Sequence, residues 1–130
     1  MSTLSPGLRA DFELTVSDAD TASRWGSGLV PVYSTPALVG AMEKTAVLAL
    51  TGHLPEGQTT VGGRIEVQHL APTPVGMKVR ISAELTAGEG RKLTFQIEAW
   101  DEVEKIGEAR HERFLVDEAR FMAKVQAKGQ

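Results

Sequence analysis

STPALVGAMEKTAVLAL, the residues from Ser34 to Leu50, predict a helix that is apolar on nearly every side. A hydroxyl residue ahead of Pro36 is a good helix N-cap, and either Ser34 or Thr35 could serve. A helix with so little polar surface must be enclosed by other structure. We therefore expect it to lie at the centre of the molecule.

Alternation of apolar and polar residues predicts strands on both sides of this helix. A short strand is expected at Asp11–Val16, and a loop over residues 17–33 leads from it to the helix. After the helix, strands joined by turns are expected over residues 61–69, 79–85, 93–99 and 105–116. A period of two places one set of residues on a common face of the first of these strands, namely Val61, Gly63, Ile65, Val67 and His69.

One strand, a buried helix and four antiparallel strands leave one economical arrangement, in which the sheet curls around the helix. The predicted class is α+β with the hot-dog fold, as a single domain over residues 1–130, closed by a short amphipathic helix from Asp117. A single copy of such a layer leaves sheet edges exposed. We therefore expect a homodimer, or a higher homo-oligomer, with two composite sites.

Composition narrows the classes of partner. The chain has 42% hydrophobic and 24% charged residues and a formal net charge of -3, and its basic residues are dispersed among acidic ones, so nucleic acid is not an expected partner. Cysteine is absent and the three histidines lack metal-ligand spacing, so neither thiolate chemistry nor a bound metal is expected. No stretch predicts a signal peptide or a membrane span, so the expected location is the cytoplasm.

Glu43 is the least expected residue of the helix, because Val39 and Val47, at the i-4 and i+4 positions, share its face. A carboxylate buried there needs a partner and is suited to act as a base, a nucleophile or an orienting acceptor. The alternative is a structural carboxylate that accepts hydrogen bonds from a neighbouring loop.

Thr35 and His69 are the other candidates for chemistry. Thr35 lies at the mouth of the helix, where it either caps the helix or helps to polarise a carbonyl. His69 is expected to face the core side of the sheet, as a hydrogen-bonded core residue or as a general acid or base. Gly62 and Gly63 allow close approach of a ligand to the backbone, although a β-bulge explains them more simply.

A resemblance to a known family rests on several segments, namely Thr35 to Glu43, Val67 to Gly76, Ala83-Glu-Leu, Glu89-Gly-Arg, Ile106-Gly107, His111-Glu-Arg113 and Phe121 to Val125. These segments resemble the hot-dog acyl-CoA thioesterases, in particular the fluoroacetyl-CoA thioesterase group. The resemblance implies hydrolysis of a short acyl-CoA to free acid and coenzyme A, with no cofactor beyond the coenzyme A of the substrate.

The resemblance also implies roles for individual residues. Glu43 is the expected nucleophile or base, His69 the acid or base, and Thr35 the residue that orients either the acyl group or the other two residues. The expected substrate-binding residues are Gly62, Gly63, Leu29 and Arg113. Leu29 stands where the fluoroacetyl-CoA enzyme has a phenylalanine gate, so thioester hydrolysis is carried over and fluoroacetyl specificity is not.

Two other functions stay open from the sequence, and the first of them would use the same pocket. One is a non-catalytic module that binds acyl-CoA or another small thioester. The other is a different hot-dog reaction, such as hydration of an enoyl thioester. The acyl group and the choice between direct attack by Glu43 and activation of water stay open from the sequence.

Overall fold

A computed structural model describes residues 4–130. Its helices and strands follow the order β1 Arg9–Thr15, α1 Ala22–Trp25, α2 Thr35–Leu50, β2 Gln58–His69, β3 Lys78–Glu89, β4 Lys92–Asp101, β5 Lys105–Asp117 and α3 Glu118–Lys128. The predicted loop before α2 contains a single 3-10 turn, Asp18–Asp20, as well as the short helix α1.

The five strands form one antiparallel sheet in the order β1-β3-β4-β5-β2. α2 packs against β1, β2, β3 and β4, so the sheet curls around it. This arrangement confirms the predicted fold. β2 and β1 are the two edges of the sheet, and β2 is the longer of them.

The core lies between the inner face of α2 and the concave face of the sheet. Its fully buried members include Leu38, Met42, Ala46, Ile81, Leu85, Phe95 and Ile97. Burial of a leucine, isoleucine, methionine or phenylalanine side chain stabilises the domain by roughly 1.5–3 kcal/mol before the entropy of folding is subtracted. Within residues 4–130, no helix combines the length and the apolar character that crossing a bilayer requires.

The outer face of α2 departs from the prediction of a fully enclosed helix. Val47 and Leu48 are both exposed, and Glu43, one turn before Val47 on the same side, is only half-buried. The sheet covers one side of the helix because a single curled layer can wrap only part of its circumference. A single copy therefore presents apolar side chains of α2 to solvent.

A β-bulge in β2 overturns the prediction that Val61 and Gly63 share a face with Ile65. Gly62 pairs with Arg113 and Arg64 pairs with Glu112, so Gly63 is an extra residue without a partner on β5. The extra residue reverses the alternation on its N-terminal side. Gly62 therefore faces inward, whereas a Cβ on Gly63 would collide with the ring of Phe114.

Candidate active site

The start of α2 divides two roles between adjacent hydroxyl groups. Ser34 is the N-cap, and its side-chain oxygen accepts a hydrogen bond from the backbone N–H of Ala37 at 3.2 Å. Pro36 follows at the second helical position, where its missing N–H costs no helical hydrogen bond. The hydroxyl of Thr35 is thereby left available for a partner outside the helix.

That partner is His69, at the end of β2. Thr35 Oγ1 and His69 Nδ1 lie 2.8 Å apart, the distance of a good hydrogen bond. The other ring nitrogen, Nε2, is buried and has no hydrogen-bond partner among residues 4–130. Burial lowers the pKa of His69 below its ordinary value of 6.5, so the imidazole is neutral near pH 7.

A cavity of about 380 Å³ lies beside this pair. Thr35, His69 and Tyr33 line it together with Gly28 and Val30 from the loop before α2. A pocket of this size, with few polar groups among apolar ones, is typical of small-molecule sites. The N-terminus of α2 opens onto it and favours a partial negative charge there.

Glu43 belongs to a second group of polar residues further along α2. Its Oε2 lies 3.9 Å from Nη1 of Arg113, and its side chain is 41% exposed, so the predicted burial of Glu43 is not found in one chain. A Cβ on Gly62 would approach Oε2 to 2.8 Å. Glycine at position 62 therefore leaves the space that the carboxylate occupies.

Arg113 is a buried residue of this group, and it is bound by Thr60, a residue that the sequence analysis did not identify. Its Nε donates to Thr60 Oγ1 at 3.0 Å and its Nη2 donates to the backbone carbonyl of Thr60 at 3.1 Å. Burial lowers the pKa of Arg113, and the nearby Glu43 carboxylate opposes that effect. Thr60 precedes the glycine pair, and only the bulge brings it to the inner face, so no simple alternation could have identified it.

The predicted trio is therefore divided within one chain. Thr35 and His69 are in direct contact, whereas Glu43 lies two helical turns away, about 12 Å along the axis of α2. Gly62 and Arg113 accompany Glu43 and not the cavity. Leu29 is 96% exposed, although its neighbours Gly28 and Val30 line the cavity.

Within residues 4–130, no three His, Asp or Glu side chains are grouped so that they could hold a metal ion. The chemistry available from the chain's own side chains is that of a hydroxyl–imidazole pair and of a carboxylate beside a guanidinium. These groups suit acyl transfer to water.

Comparison with known proteins identifies the family. The model of the family described as "fluoroacetyl-CoA-specific thioesterase" matches residues 16–119. The chain belongs to this family. The fluoroacetyl-CoA thioesterase of Streptantibioticus cattleyicolor is 40% identical over 97 residues, which cover 75% of this chain and 70% of that protein.

Solved structures of the family and of its wider superfamily agree with the fold. A structure of the fluoroacetyl-CoA thioesterase has a TM-score of 0.91 and 32% identity, and covers 98% of each chain. A thioesterase superfamily member from Thermus thermophilus has a TM-score of 0.92 and 30% identity over 99% of this chain and 96% of that one. The predictions of a hot-dog fold and of membership in a thioesterase family are thus confirmed.

Proposed function

We propose that this member of the family hydrolyses a short-chain acyl-CoA thioester to free acid and coenzyme A. Thr35, Glu43 and His69 carry the reaction in a site between two copies of the chain. The observation that carries this proposal is the 2.8 Å contact between Thr35 and His69 beside a cavity at the N-terminus of α2. The coenzyme A of the substrate is the only cofactor that this reaction needs.

The cavity and the helix terminus suggest where the thioester binds. The acyl group enters the cavity, and a volume of about 380 Å³ at the small end of ligand pockets favours a short one. The carbonyl oxygen lies toward the N-terminus of α2, where the helix stabilises the negative charge that develops during attack. Thr35 orients the imidazole of His69, which serves as the acid or base of the reaction and, as an acid, donates a proton to the departing thiolate of coenzyme A.

Glu43 completes the site from a second copy. Within one chain it is too far from Thr35 for both to touch one carbonyl. A twofold axis that passes beside α2, level with the stretch between these two residues, would pair the two helices antiparallel and place Glu43 of each copy beside the helix terminus of the other. The half-exposed position of Glu43, on the apolar side of α2 that the sheet leaves uncovered, favours this arrangement.

The free edge of β2 also favours two copies. A long unpaired edge strand is a surface on which a second identical strand can pair. Antiparallel pairing of β2 with the same strand of a second copy would extend the sheet and bring the two α2 helices side by side. The cytoplasmic location and the absence of a metal or additional cofactor stay predictions from the sequence.

Release of free thiol from a panel of short, branched, aromatic and enoyl acyl-CoA esters tests the proposed function. The panel includes fluoroacetyl-CoA, because Leu29 leaves its hydrolysis open. For the best substrate, we expect Glu43→Gln and His69→Ala each to lower kcat/KM by roughly 100-fold, the scale of losing an acid or base. Glu56→Gln, a change of an exposed loop carboxylate, is the matched control and should retain full turnover.

The other outcomes are distinct. Saturable binding of acyl-CoA without release of thiol identifies a binding module. A hydroxyacyl-CoA product from an enoyl ester, in place of free acid, identifies a hydratase. Unchanged turnover in both the Glu43 and the His69 variants contradicts the assignment of the site.

A further inference from the structure

His111 is a buried titratable side chain that the proposed reaction does not use. It lies on β5, is 1% exposed, and stacks at a tilt against the ring of Phe95 on β4. Both of its ring nitrogens have hydrogen-bond partners, and one of these partners, Arg113, belongs to the group that contains Glu43. A histidine placed in this way is either a packing residue or part of the site.

The hydrogen bonds of His111 determine its protonation state. Nδ1 lies 2.8 Å from the backbone carbonyl of Arg64, and because a carbonyl only accepts, Nδ1 carries the proton. Nε2 lies 3.2 Å from Nη1 of Arg113, and because a guanidinium only donates, Nε2 must be the acceptor. His111 is therefore a neutral imidazole in one tautomer.

Arg113 is held at three points as a result. Nε and Nη2 are bound by Thr60, as described above, and Nη1 is bound by His111. Nη1 is also the guanidinium nitrogen that faces Oε2 of Glu43 at 3.9 Å. The imidazole thus holds the nitrogen that forms the ion pair with Glu43.

We infer that His111 is a positioning residue, whose neutral imidazole orients Nη1 of Arg113 toward Glu43 and so places the Glu43 carboxylate for the reaction. This inference rests on the proposed function in that Glu43 takes part in thioester hydrolysis. Gly62 belongs to the same arrangement, because the absence of a side chain there leaves space for the Glu43 carboxylate. Protonation of His111 would set a second donor and a second positive charge against Arg113, and the guanidinium would have to move.

The charged groups around His111 come from three elements. Glu112 and Arg113 follow it on β5, and Glu43 faces it from α2. The backbone carbonyl of Arg64, on β2, accepts a hydrogen bond from its Nδ1. Burial is the largest influence and lowers the pKa of His111. The Arg64 carbonyl and the two carboxylates act in the opposite direction, and Arg113 adds to the lowering.

Two amide variants separate positioning from packing. In His111→Gln, the side-chain carbonyl can reach the place of Nε2 and accept from Arg113. In His111→Asn, the amide can donate to Arg64, but the side chain is too short to reach Arg113. We expect His111→Gln to keep kcat within about 3-fold of the wild type and His111→Asn to lower kcat by about 10-fold or more with little change in KM, because the reacting group is misplaced.

The pH profile supplies a second readout. In the wild type, protonation of His111 sets a positive charge against Arg113 and misplaces Glu43, so this group should contribute to the acidic limb of log(kcat/KM) against pH. In His111→Gln this contribution is absent, and the slope of the acidic limb should be lower than in the wild type. A packing role predicts the same slope in both proteins.

An NMR measurement tests the inference independently of turnover. Wild type and His111→Gln should show resolved, slowly exchanging Nη1 protons for Arg113, whereas His111→Asn should lose these signals. Equal turnover, equal pH slopes and unchanged Arg113 signals in both variants would overturn the inference. If the wild type hydrolyses no acyl-CoA, the proposed function fails, and the NMR comparison still decides whether His111 orders Arg113 beside Glu43.

Discussion

At the scale of single residues, Ser34 and Thr35 at the N-terminus of α2 make different hydrogen bonds. Two adjacent hydroxyl residues precede Pro36, and from the sequence either could cap the helix. Ser34 does so, and Thr35 binds His69 in place of a helical N–H. Capping and chemistry are therefore separable by mutation at neighbouring positions.

Ser34→Ala should lower the free energy of unfolding by about 1 kcal/mol, because the N-cap hydrogen bond is lost. Thr35→Val should affect stability less, since Thr35 is exposed and water can replace its hydroxyl, but it should lower kcat/KM by about 10-fold, the worth of one hydrogen bond. Urea denaturation and thiol release measure the two effects. Thr35→Ser, which keeps a hydroxyl, is the control and should retain activity, whereas an inactive Ser variant would contradict the role of the hydroxyl.

At the scale of elements, the bulge in β2 determines which residues reach the carboxylate. Gly62 and Gly63 each leave space for a different side chain. Gly62 faces Oε2 of Glu43 on the inner side of the sheet, and Gly63 faces the ring of Phe114 on the outer side. The same extra residue brings Thr60 to Arg113.

Alanine at each glycine should therefore have a different effect. Gly62→Ala should displace the Glu43 carboxylate and lower kcat/KM by about 10-fold or more while the melting temperature changes little. Gly63→Ala should force the Phe114 ring to move and lower the free energy of unfolding by about 1–3 kcal/mol. Steady-state kinetics and thermal melts of both variants measure this, and a larger loss of stability in Gly62→Ala than in Gly63→Ala would contradict it.

At the scale of the whole molecule, the uncovered side of α2 and the free edge of β2 are adjacent features of one surface. Both result from the topology, because one curled layer of five strands has two edges and covers only one side of its central helix. A second copy that covers this surface would complete the site with Glu43.

In the proposed homodimer, Val47→Glu should separate the two copies, because a charge on the side of α2 that carries Glu43 would have to be buried without a partner. Val47 is exposed in one chain, so the fold should persist by circular dichroism, while thiol release should fall with the loss of the composite site. Val103→Glu, in the exposed β4–β5 turn, is the matched control and should stay dimeric. Analytical ultracentrifugation measures the mass, and a wild type that sediments as a single copy would refute the composite site.

Hydrophobic patterning was enough to predict the elements and their arrangement. The apolar run after Pro36, the alternating strands and the turns between them were each local signals, and local signals predict secondary structure when one face of each element must be buried. The same patterns identified Thr35, Glu43 and His69 as candidates for chemistry, and the resemblance of short segments then predicted the family and the roles of these residues.

Three features depended on contacts between residues distant in the chain. Which hydroxyl caps α2 depended on where His69 lies at the end of β2, and which glycine faces the carboxylate depended on the register of β2 against β5. The arrangement of His111, Thr60 and Arg113 around Glu43 likewise joins three elements. A sequence specifies periodicity within one element, whereas distances between elements follow from register and packing, and these form only when the whole sheet closes around α2.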